Sequence, residues 1–180
     1  TAIPLAITDA GTITDLNISV TLDHGSTSGL QWTSITLLSP NGSSIVLGAG
    51  DQIGGSWAST DGGELYSTVF NDEATTEVYN GTAPFAGSFQ PVGSLSAFDN
   101  QSITGTWQLL ISNRNGSAGT VAFTISAETD ASTPNPVPNY GTSYASSSTA
   151  FAGDGLTAIP LVITDAGTIT DLNISVTLDH

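Results

Sequence analysis

Carboxylates are the reactive groups that this sequence holds in quantity. Sixteen Asp and Glu stand against one base, Arg114, for a formal net charge of −15 over 180 residues. Asp72 and Glu73 follow an apolar run that ends at Phe70, and Asp51 and Asp61 flank a Gly-rich stretch over 48–63. Calcium takes six to eight oxygens, many from loop carboxylates and carbonyls, so these four acids are the expected metal ligands and calcium the expected cofactor. No EF-hand spacing or G-G-x-G-x-D repeat accompanies them, and the opposing reading is that they cap turns and face water. Used as an acid/base pair, two carboxyls would need a separation of about 5 Å or more across a cleft. Nothing in the spacing fixes such a pair, and glycosidase chemistry is not expected.

The other reactive types are sparse. His24 and His180 each follow an Asp at the end of a polar/apolar alternation. A triad needs Ser, His and acid converging with an oxyanion hole, which an Asp-His dipeptide does not supply. Cysteine is absent, which removes disulfides, thiolate zinc sites and thiol nucleophiles. The chain is therefore read as non-enzymatic. Among the aromatics, Trp107 sits on an alternating apolar face and reads as core. Trp57, in the Gly-rich stretch, is the one candidate for an exposed carbohydrate platform. Six Asn-x-Ser/Thr sequons, at Asn17, Asn41, Asn80, Asn100, Asn115 and Asn173, are glycosylation candidates if the chain is secreted.

The charge balance bounds the partners. A chain with one base cannot neutralise phosphates, so nucleic acid and anionic lipid are not expected partners. No run of 18 apolar residues is present, and no membrane insertion is expected. Neither a signal peptide nor an initiator Met is seen, which reads as a mature or internal fragment.

Strands must position these groups, because the periodicity is two and not 3.6. Leu16, Ile18, Val20 and Leu22 alternate with Asn17, Ser19, Thr21 and Asp23, a half-buried strand. The run 2–8 reads as a preceding strand, with Pro4 placing it near a sheet edge. A strand over 31–38 meets the turn Ser39-Pro40-Asn41-Gly42 and returns through Ile45-Val46-Leu47. Further strands are expected at 65–70, 77–79, 106–112 and 121–125. Short strands at this spacing predict an all-β, jelly-roll-type antiparallel β-sandwich. Residues 129–156, rich in Pro, Ser and Thr, read as a linker whose later part could instead be a lead-in strand of a following domain.

One feature organises the whole. Residues 1–24 return as 157–180 with a single change, Ala6 to Val162, at an offset of 156 residues. The second copy is read as the opening strands of a next repeat, so that the chain looks like a window cut from a longer array.

The middle of the chain resembles the P domain (P/Homo B domain) of proprotein convertases and of bacterial secreted and surface proteins. The matching stretches are Thr14 to Val20 with His24, Ile35-Thr36-Leu37-Leu38-Ser39-Pro40-Asn41-Gly42, Phe70-Asn71-Asp72-Glu73-Ala74, Ala83 to Pro91 with Ser94 to Phe98, and Gly105-Thr106-Trp107-Gln108-Leu109. They keep the family's order over roughly residues 12–127. The resemblance implies a jelly-roll sandwich over 1–128, often with calcium. Two departures bear on any cation site: Gly29-Leu30-Gln31 replaces the family's G-D-L, and Asn71 replaces the first acid of D-D-E. No subtilisin-like catalytic motif is present.

The expected function is an extracellular structural module, the repeating unit of a surface fibre, filament or adhesin stalk, whose partners are further copies of itself. Two linkages are open. The repeats run in one polypeptide, or residues 157–180 of one subunit add strands to the next by β-augmentation through the face of Leu172, Ile174, Val176 and Leu178. The alternatives are an accessory P domain of a secreted subtilisin-like protease and a polysaccharide-binding module.

Overall fold

The computed structural model describes residues 1–24, 29–50, 64–114 and 118–130, together with the backbone of 142–145, 149–151 and 161–162. Eight strands make the sandwich: β1 (Ala2–Ile7), β2 (Thr12–Asp23), β3 (Thr33–Leu38), β4 (Ser44–Ala49), β5 (Glu64–Phe70), β6 (Gly87–Phe89), β7 (Gly105–Asn113) and β8 (Gly119–Asp130). Three short strands follow, β9 (Thr142–Ala145), β10 (Thr149–Phe151) and β11 (Leu161–Val162). One sheet has the order β11-β1-β7-β3-β4 and the other β10-β8-β2-β5-β6, with β9 also on β8. β1 and β2 lie in opposite sheets, as do β7 and β8, so the chain wraps from one sheet to the other at both ends.

Alternation decides which face goes inward. Leu16, Ile18, Val20 and Leu22 of β2 are buried while the residues between them are partly exposed. Across the core stand Ile3, Leu5 and Ile7 of β1 and Trp107, Leu109 and Ile111 of β7. Trp107 is fully buried, donates from Nε1 to the Ile103 carbonyl at 2.9 Å, and meets Phe98 edge-on with centroids 5.1 Å apart. The indole thus buries its large apolar surface without orphaning its one donor.

The turn at 39–42 forms as its residues demand. Asn41 Oδ1 accepts from the Ser39 hydroxyl at 2.6 Å and from the Ser43 amide at 2.9 Å, and Gly42 takes φ 91°. A left-handed position of this kind favours glycine. Residues 77–79 do not form the expected strand. Glu77 makes a single bridge to Gln90, and Val78–Asn80 then closes as a 3-10 turn. Only Val78 of that segment is buried, so there is no alternating face for a sheet to claim.

The outer sides of β4 and β8 are covered. Val92 and Gly93 donate to the carbonyls of Leu47 and Val46, which closes the outer side of β4. On β8, β9 covers Thr124 to Ala127 and β10 covers Gly119 to Val121. The two registers differ by one residue. Part of the stretch read as linker therefore adds strands to this sheet. β11, from the second copy, lies parallel to β1, pairing Leu161 with Leu5 and Val162 with Ala6. The expected face of Leu172, Ile174, Val176 and Leu178 lies outside the described residues.

Candidate functional site

The acids gather at one corner. Asp15 enters β2 directly opposite Glu128 of β8. Asp72 follows β5, and Asp99 follows the 3-10 turn at Leu95–Phe98. Like charges facing each other across a strand pair are destabilising. Burial, the charge of Glu128, and then those of Asp99 and Asp72 push the Asp15 carboxyl above its ordinary value, against a lowering hydrogen bond from the Leu16 amide. Asp99 is raised by burial and by Asp72 and Glu73.

Asp72 has a defined task. Its Oδ1 accepts from the Leu95 amide at 2.9 Å, and its Oδ2 accepts from the Ser96 amide at 2.9 Å and the Ser94 hydroxyl at 2.5 Å. It satisfies the donors at the start of the 3-10 turn from 22 to 24 residues away. Its own carbonyl accepts from Gln90 Nε2 at 3.1 Å. Asn71, where the resemblance would place an acid, accepts from the Glu73 amide at 2.6 Å in an Asx turn.

Both Asp72 oxygens are spent on the cap, and no cluster of three or more His, Cys, Asp or Glu able to hold a metal occurs among the described residues. Asp51 and Asp61, like Trp57, lie outside the described residues.

The remaining candidates take separate places. His24 is fully buried, and its ring packs so closely on Gly29 that an added Cβ there would stand 2.1 Å from Cγ. Asn17 is half-buried, its amide nitrogen donating to Asp15 Oδ2 at 2.8 Å. Asn41, Asn80 and Asn100 are exposed, whereas Asn115 and Asn173 lie outside the described residues. A groove of about 430 Å³ lined by Thr1, Ser34, Thr36 and residues 110–113 contains no carboxylate or histidine.

The stretch Ala83-Pro84-Phe85-Ala86-Gly87-Ser88-Phe89 is spent on packing. The Thr68 hydroxyl donates to the Phe85 carbonyl at 2.7 Å, the Tyr66 amide donates to that of Pro84 at 2.9 Å, and the Phe85 and Phe89 rings meet edge-on. Asp72 caps a turn, as the opposing reading of these acids has it, but its partners lie 22 to 24 residues away. Ser94-x-Ser96 before an apolar turn was the available signal. No described helix is long and apolar enough to cross a membrane.

The fold and this corner define an all-β, two-sheet sandwich with an acidic edge. No family model matches the sequence, and no curated protein matches it. Two solved structures align with it, a serine protease of Aeromonas sobria and a complex of that protease (ASP) with the chaperone ORF2. The identity is 18% in both, and the TM-scores are 0.34 and 0.35. The alignments cover 80% and 86% of this chain but 19% and 23% of those chains.

Proposed function

We propose that this chain is a non-catalytic extracellular structural module, the repeating unit of a surface fibre, filament or stalk built from P-domain-like sandwiches. The observation that carries the reading is the return of residues 1–24 as 157–180 with one conservative change. In the first copy these residues supply β1 and β2, so a second set is the start of another sandwich. A near-identical repeat gives length and multivalency, which suits a scaffold more than an enzyme.

The side chains that could have done chemistry support the same reading. Asp72 caps a turn, and His24 is enclosed in packing. Imaging of the native material tests the proposal: filaments with a regular axial repeat are expected, and monodisperse single units would overturn it. A second reading is favoured by the ordered motifs from Thr14 to Leu109, which resemble the domain that accompanies subtilisin-like proteases. A catalytic domain encoded upstream would favour that reading, and further 156-residue copies would favour the array.

A further inference from the structure

The β1–β11 pair joins two copies of one sequence, parallel and in register, since Leu5 faces Leu161 and Ala6 faces Val162 at the repeat offset. The single difference between the copies, Ala6 against Val162, falls within this short ladder. Valine is the stronger strand former of the two.

Backbone geometry decides which edge of each strand is used. Thr1 and Ile111 exchange both of their backbone bonds, so residues 1, 3, 5 and 7 turn their N–H and C=O groups toward β7. Residues 2, 4 and 6 therefore face outward, toward β11. In a parallel ladder one residue bonds to the two that flank its partner. Leu161 must then address Pro4 and Ala6, its N–H to the Pro4 carbonyl and its C=O to the Ala6 amide. Pro4 has no N–H, so at that position β1 offers β11 its carbonyl alone.

Leu161 is the copy of Leu5, and the groups of Leu5 belong to β7. The second copy's opening strand thus spends on β1 the same backbone groups that it would need for its own equivalent of β7. The two pairings exclude each other.

We propose that the outer edge of β1 is a docking edge for the opening strand of the following copy, which leaves it when that copy supplies its own β7. The proposal rests on the tandem reading above and adds the acceptor edge, the polarity, the register and the exclusivity. A strand of an incomplete sandwich is an aggregation hazard. Parking it on its neighbour keeps its polar groups paired.

Disulfide trapping tests this in a chain that has no native cysteine. Neighbouring strands lie about 4.8 Å apart, within the Cα range that a disulfide tolerates. The full 180-residue chain carrying Ala6→Cys and Val162→Cys is oxidised gently, and free thiols are counted. A within-chain bond is expected, with the shifted pair Ala6→Cys and Asp165→Cys closing roughly tenfold more slowly or not at all. In a chain extended to a complete second copy, the first pair is expected to slow by about tenfold or more. There, Val162→Cys is expected to close instead with a cysteine at the second copy's equivalent of Thr106. Unchanged melting of the reduced variants shows that they fold. Equal closure of the shifted pair, bonds only between chains, or a 6–162 bond that persists in the two-copy chain would each overturn the proposal. Filaments without the within-chain bond would leave the array reading standing and remove only this one.

Discussion

At the scale of single residues, two acids of one corner have opposite effects: Asp72 caps a turn, and Asp99 stands beside like charges. Asp72 holds two amides and a hydroxyl, so Asp72→Ala should lower unfolding free energy by about 1–2 kcal/mol in urea titration, with the m-value unchanged. Asp99 runs the other way. Its carboxyl is raised above the ordinary 3.8 by burial and by Asp72 and Glu73. The folded state therefore binds its proton more tightly than the unfolded state does. The stability this contributes is complete below the ordinary carboxylate value and is lost as pH rises through the raised one. Asp99→Asn should accordingly raise the melting temperature at pH 7 by roughly 1–2 °C, an advantage that disappears on acidification below the ordinary carboxylate range. An unchanged difference across that pH range would show that charge is not the cause.

At the scale of elements, legibility followed periodicity. The faces of β2 and β7 could be read because alternation over many residues admits one orientation, and the 39–42 turn because its residues have local reasons to turn. Residues 77–79 misled, since three residues of mixed polarity carry too little pattern to separate a strand from a 3-10 turn. β6 has one buried residue, Phe89, in its three, and β9 and β10 are only four and three residues long, drawn from Ser, Thr, Ala, Tyr and Phe. Such strands exist because an edge nearby needs partners, so the local pattern could suggest a lead-in strand at 142–151 but not the sheet it joins. Gly105 shows the converse: its φ of 128° and a would-be Cβ 2.6 Å from Pro40 Cβ both demand glycine. Gly105→Ala should cost more than about 1 kcal/mol, seen as a lower urea midpoint.

At the scale of the whole molecule, charge and fold pull against each other. A net charge of −15 with one base leaves the compact state under self-repulsion. Raising sodium chloride from low to about 0.5 M should therefore raise the melting temperature by several degrees, roughly, through screening. A flat or falling response would mean that the acids are too dispersed to matter. The acidic corner was legible in composition but not in position, because Asp15, Asp72, Asp99 and Glu128 meet only once β2, β5 and β8 are assembled.

The uneven lengths of the ladders have a mechanical consequence. Among the described residues β8 is held to β2 through eleven register pairs, whereas β9 holds to β8 through four, β10 to β8 through three and β11 to β1 through two. Under tension along the chain the short ladders should yield first and the long one last. Residues 131–162 would then pay out about 110 Å at roughly 3.4 Å per residue. A force–extension trace should show this slack released before the sandwich itself unfolds, so that a pulled unit gives way gradually and keeps its core.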